Sequence, residues 1–130
     1  MSPPVADKNM PRRRHALARA DSYEVEETPW GRLVWMVAGR FGNSETMTVG
    51  RCDINAGMAN PRHCHPNCDE VLHVLQGEIE HSLGDETFQM SAGDTVSIPM
   101  GTLHNARNLG DEQAALFIAF SSADRQTIGE

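Results

Sequence analysis

Three histidines and one glutamate carry the chemical signal of this 130-residue sequence. His63, Cys64 and His65 are consecutive, and side chains alternate between the faces of an extended segment, so His63 and His65 point one way and Cys64 the other. Glu70 follows a short turn containing Pro66 and opens the next apolar run, so its carboxylate approaches the two imidazoles from a neighbouring strand. Farther on, Gly93–Asn108 reads as a strand, a tight Pro99-Met100-Gly101 turn, and a third imidazole, His104, at the start of another strand. Three neutral imidazoles and a carboxylate suit one divalent transition metal ion (Fe, Mn, Zn, Ni, Co or Cu) and leave up to about two octahedral positions open. An ion of charge +2 beside the single negative charge of Glu70 leaves about +1, which favours an anionic or chelating oxygen ligand such as an oxo acid, a diol or an enediol.

The elements that must hold these residues are short strands. Apolar runs at Arg32–Ala38, Glu45–Ile54, Glu70–Leu75, Glu78–Leu83, Thr87–Met90, Thr95–Ile98 and Ala114–Phe120 are separated by turn chemistry at Gly42-Asn43, Gly84-Asp85, Gly93-Asp94 and Gly110-Asp111. No amphipathic stretch of helix length lies between them, so a parallel βαβ fold is excluded and an antiparallel sandwich or barrel remains. His81 shares a strand face with Ile79 and Leu83; if that face lines the barrel, His81 is a proton carrier beside the metal ligands. His73 lies three residues after Glu70 on the opposite face and should point away from the site. Trp30, Trp35, Met47, Met90, Met100 and Phe117 are expected in the core and the pocket lining.

The formal charge of −7 is uneven: residues 1–20 carry a net +4, leaving −11 on the remainder. An acidic body lacks the Lys and Arg that displace counterions from phosphate backbones, so no nucleic-acid partner is expected. Residues 1–22, rich in Pro and charge without an apolar period, read as a flexible N-terminal arm, and residues 23–130 as one domain. Cys52, Cys64 and Cys68 are odd in number, and the Cys64/Cys68 pair has no second pair to complete a zinc site, so neither a disulfide framework nor zinc–thiolate binding is expected. The Arg12–Arg14 triplet precedes no apolar export region and no run approaches about 18 apolar residues, so no membrane partner is expected and the cytoplasm is the expected compartment.

The two histidine-bearing stretches resemble the two motifs of the cupin superfamily. The first is Gly57, His63, His65, Glu70 and Gly77; the second is Gly93, Pro99, Gly101, His104 and Asn108, both at the superfamily's spacing. With roughly 5% usage per residue type, ten chance matches have odds on the order of one in 10¹³. The short spacer between Gly77 and Gly93 is similar to that of compact single-domain cupins, and with one motif pair the chain is not a bicupin. The resemblance implies an all-β, antiparallel double-stranded β-helix (jelly-roll barrel) and His63, His65, Glu70 and His104 as metal ligands. It also implies a homodimer paired through an outer sheet, and Glu70 as a base that leaves the metal.

Cupins with the full ligand set include dioxygenases, decarboxylases, lyases and isomerases, so the expected function is a metal-dependent enzyme on a small carboxylate- or carbonyl-bearing molecule. Glu70 and His81 are its candidate catalytic groups. The competing expectation is a non-catalytic module that binds or senses a small ligand.

Overall fold

The computed structural model describes residues 16–130, and every regular element of useful length in them is a strand. In chain order these are β1 (Glu24–Thr28), β2 (Gly31–Val37), β3 (Thr48–Ile54), β4 (His63–Cys64), β5 (Glu70–Gln76), β6 (Glu78–Leu83), β7 (Glu86–Ser91), β8 (Thr95–Ile98), β9 (His104–Asn108), β10 (Ala114–Phe120) and β11 (Ile128–Gly129). One sheet runs β1-β2-β3-β10-β5-β8 and the other β11-β4-β9-β6-β7. Every pairing is antiparallel, which gives the jelly-roll barrel. Most of the expected N-terminal arm lies outside the described residues; its last part, Ala20–Ser22, is a single 3-10 turn.

The core follows from two-residue alternation. Along β10, Ala114, Leu116, Ile118 and Phe120 are buried while Ala115, Phe117 and Ala119 face outward; along β5, Glu70, Leu72 and Val74 face inward. From the second sheet, Ile79, Met90 and Ala106 complete the same cluster. Each large aliphatic or aromatic side chain so buried contributes about 1.5–3 kcal/mol.

The chain crosses between sheets at Gly77, whose φ of 97° lies in the region L side chains avoid. A Cβ there would meet the Ala114 Cβ at 3.1 Å, so glycine is required by both backbone and space. Gly42, Gly84 and Gly93 hold positive φ in their turns as expected, but Gly110 does not. There the Asn108 side chain accepts from the Gly110 N–H at 2.9 Å and shapes the turn.

Several expectations are corrected. Strand β1 reads EVEET, an exposed edge whose charges hide any alternation, and β11 spans two residues; neither stood out in the sequence. Trp35 and Met90 are buried and Trp30 packs against the core, but Met47, Met100 and Phe117 are exposed. Met47 precedes β3, Met100 sits on the Pro99–Gly101 turn, and Phe117 is placed outward by the alternation that buries its neighbours.

Candidate metal centre

Both sheets supply the site. His63 lies on β4, directly opposite His104 on β9, and His65 follows β4 by one residue. Glu70 reaches across from β5 in the other sheet, paired there with Phe120 and Ile98. The expected alternation holds: both rings flank the same point, with His63 and His65 centroids 4.9 Å apart, His63 and His104 4.3 Å, and His65 and His104 5.2 Å. The turn before β9 is fixed to this corner, since the Gly101 N–H donates to the His65 carbonyl at 2.9 Å and the Met100 N–H to Asp69 Oδ1 at 2.9 Å.

One ligand atom from each of His63, His65, Glu70 and His104 lies within 4.8 Å of the other three. Metal–ligand distances are about 2.0–2.2 Å and opposite corners of an octahedron are about twice that apart, so the span fits a shared ion. Each imidazole is oriented through its other nitrogen. Nδ1 of His63 lies 2.7 Å from the Pro61 carbonyl, Nδ1 of His65 2.9 Å from that of Gln126, and Nδ1 of His104 2.9 Å from that of Thr102. A carbonyl only accepts, so each Nδ1 carries the proton and each Nε2 turns a lone pair inward. Three lone pairs then face a carboxylate, with His104 Nε2 3.0 Å and His65 Nε2 3.1 Å from Glu70 Oε1. Such an arrangement is short of positive charge, and a cation satisfies all four groups at once.

Electrostatics agree. Burial tends to raise the Glu70 carboxyl, but donation and positive charge from the His104 and His65 rings whenever they carry a second proton, on Nε2, outweigh it and hold it at about 2. Burial lowers His63 to about 4 and His81 likewise to about 4. At neutral pH Glu70 is ionised, and His63 and His81 are neutral, the state metal binding needs from a carboxylate and an imidazole.

The cluster opens into a cavity of about 410 Å³ walled by Trp30, Leu33, Leu72, Leu116, Ile118 and Phe120. His81 lies in its wall, fully buried, stacked between Phe88 (5.5 Å) and His104 (6.1 Å), and neither ring nitrogen has a protein partner. His73 points outward as expected, its Nδ1 2.7 Å from Thr95 Oγ1. The three cysteines are free, with Cys52 and Cys68 buried.

The cupin-domain family model matches residues 50–120, which contain the whole cluster. The chain belongs to the cupin family. Among curated relatives, a germin-like protein 5-1 of Oryza sativa subsp. japonica is 37% identical over 85 residues, covering 62% of this chain and 38% of that protein. An oxalate oxidase of Triticum aestivum is 30% identical over 88 residues, covering 62% and 39%. The chain thus spans less than two fifths of the length of these relatives. Among solved structures, Lactobacillus farciminis oxalate decarboxylase in its formate complex superposes with a TM-score of 0.78 at 23% identity, over 84% of this chain and 34% of that one.

What the sequence did not reveal about this cupin is its C-terminal segment. After β10, Gln126 supplies the carbonyl that orients His65, β11 pairs with β4 through Ile128–Cys64 and Gly129–His63, and the Glu130 N–H donates to the Arg62 carbonyl at 3.2 Å. Arg125 enters the cavity wall from the same segment. No motif marks it; an arginine just beyond the last long apolar run was the only available signal.

Proposed function

We propose that this cupin is a metal-dependent enzyme acting on a small carboxylate- or carbonyl-bearing acid, with His63, His65, Glu70 and His104 holding one divalent transition metal ion. The observation that carries the reading is the convergence of a carboxylate and three inward Nε2 atoms whose Nδ1 partners are already engaged. When bound, a divalent ion supplies Lewis-acid polarisation of a substrate oxygen and, if redox-active, electron transfer.

The chain's own groups do the rest. The apolar part of the wall lowers the local dielectric and strengthens polar contacts beside it. Glu70 stays ionised at neutral pH and offers carboxylate oxygens at the head of the cavity. His81 stands neutral in the cavity wall without a protein partner, so Glu70 and His81 are the proposed catalytic pair. The likeness to an oxalate oxidase and an oxalate decarboxylase makes oxidation or decarboxylation of a small acid the first chemistry to assay, ahead of lyase or isomerase reactions.

No helix among the described residues is long and apolar enough to cross a membrane. Three free thiols support a reducing, cytoplasmic setting. The outward Val71, Leu75 and Phe117 of the six-stranded sheet support a homodimer through that face.

The test is elemental analysis of protein purified without an affinity tag, beside His104→Ala. About one equivalent of a transition metal per chain, lost in the variant while its β-sheet circular dichroism persists, is expected. Protein that holds no metal and takes up neither added Mn(II), Fe(II) nor Zn(II) overturns the reading.

A further inference from the structure

Among the described residues that line the cavity, Arg125 is the one Lys or Arg. Arg32 and Arg51 pair with Asp53, Arg40 with Glu24, and Arg62 with Glu130; Arg19 and Arg107 have no such pair but are exposed, whereas Arg125 has no carboxylate in ion-pair contact among the described residues and stands in the cavity wall. Its guanidinium lies instead over the rings of Trp35 at 4.4 Å and Phe120 at 5.1 Å, and the Phe120 ring packs edge-on against His65 with centroids 5.0 Å apart. A second link runs through Thr127, whose Oγ1 accepts from Arg125 Nη1 and sits 3.2 Å from His65 Nδ1. The cation is therefore one side chain removed from the ligand cluster, and burial pulls it below its ordinary pKa.

A guanidinium has five N–H donors in a fixed fork, and one of them is engaged by Thr127. Lying on aromatic rings with donors to spare and no carboxylate in ion-pair contact, in a wall that also carries Glu26, it matches a bidentate carboxylate presented from inside the cavity. Size adds a second constraint. A cavity of about 410 Å³ has room for on the order of a dozen waters at ~30 Å³ each, so oxalate would fill little of it.

We infer that Arg125 binds a second anionic group of the substrate, and that the substrate is a dianionic acid longer than oxalate, with its chelating end at the histidine–glutamate cluster and an apolar body between the two ends. The inference rests on the proposed metal centre for the first end; the second end is Arg125's own. The apolar stretch between them faces Leu116, Ile118 and Phe120, which an oxalate-sized ligand would leave wet. Arg125 is a specificity-determining residue in this scheme, and no proton or bond change is assigned to it.

The experiment is calorimetric titration of Zn(II)-loaded protein, in which no redox turnover takes place, with two probes. 2-Oxoglutarate presents a chelating 2-oxo acid and a distal carboxylate; 2-oxopentanoate keeps the chelating end and the chain length but lacks the distal charge. Wild type should prefer 2-oxoglutarate by about tenfold or more, the least that a charge-assisted hydrogen bond is worth. In Arg125→Met the preference should vanish while the 2-oxopentanoate affinity and the Zn(II) content hold, and Arg125→Lys should retain part of it. Melting curves check that each variant is folded, with Arg125→Gln as the second neutral variant if Met fails. A wild type without the preference, a preference that survives loss of the guanidinium, or Zn(II)-loaded protein that binds neither probe overturns the inference and leaves the metal centre standing. Protein that holds no Zn(II) overturns the metal centre and the inference with it.

Discussion

Replacing His81 by Phe should make the metal-free protein more stable, and more so in acid. His81 is fully buried with both ring nitrogens unpartnered, and a buried unsatisfied polar group costs about 1–3 kcal/mol. Phe keeps the ring between Phe88 and His104, and a swap of similar volume costs less than about 1.5 kcal/mol. The net gain at pH 7.5 is therefore about 1 kcal/mol. Protonation adds a second contribution. The folded chain takes up a proton at His81 only near pH 4, whereas the unfolded chain does so near 6.5. Between those values the unfolded state binds more protons, so the stability His81 allows is complete above about pH 6.5 and is lost as pH falls towards about 4. At pH 5 that loss is about 2 kcal/mol in wild type and absent from the variant. Urea unfolding of chelator-treated protein reads both effects: with a slope of about 1–3 kcal/mol per molar, the midpoint gap should widen on the order of 1 M between pH 7.5 and 5. A variant less stable than wild type at pH 7.5, or a gap that does not change with pH, would refute the reasoning.

Two further substitutions probe the frame around the site. Gly77→Ala combines a positive φ with a Cβ 3.1 Å from that of Ala114, and should destabilise by about 2 kcal/mol, lowering the melting temperature by several degrees. Asn108→Ala removes the donor shared by the Ile54 carbonyl at 2.9 Å and the Glu112 carbonyl at 2.8 Å, and should cost about 1–3 kcal/mol in urea unfolding while leaving the metal content unchanged.

The convergence of the four candidate ligands was legible because its logic is local. Two-residue alternation places His63 beside His65, and the Pro66 and Pro99-Met100-Gly101 turns fix where Glu70 and His104 re-enter. Which sheet each comes from was not legible: Glu70 approaches from the opposite sheet, a relation set by the β5–β10 pairing far along the chain. Arg125 escaped for the same reason, since its neighbours Trp35, Phe120 and His65 meet it only after the barrel closes. β1 was missed because glutamates at Glu24, Glu26 and Glu27 mark an edge exposed on both faces, where no apolar period is needed. Phe117, Met47 and Met100 show the converse error, in which an apolar side chain taken alone says nothing about the direction its backbone gives it.

The three imidazoles are held at Nδ1 by carbonyls of Pro61, Gln126 and Thr102, groups that every amino acid possesses. Apart from Thr127 Oγ1 beside His65 Nδ1, the aim of the three imidazoles therefore rests on main chain. Substitutions in the cavity wall, at Leu33, Leu72, Leu116 or Ile118, alter the shape and polarity offered to a ligand without touching the bonds that aim the donors. A designer, or natural drift, can therefore reshape the cavity while the aim of the three imidazoles stays as it is, one module fixed by main chain and the other free to vary by side chain.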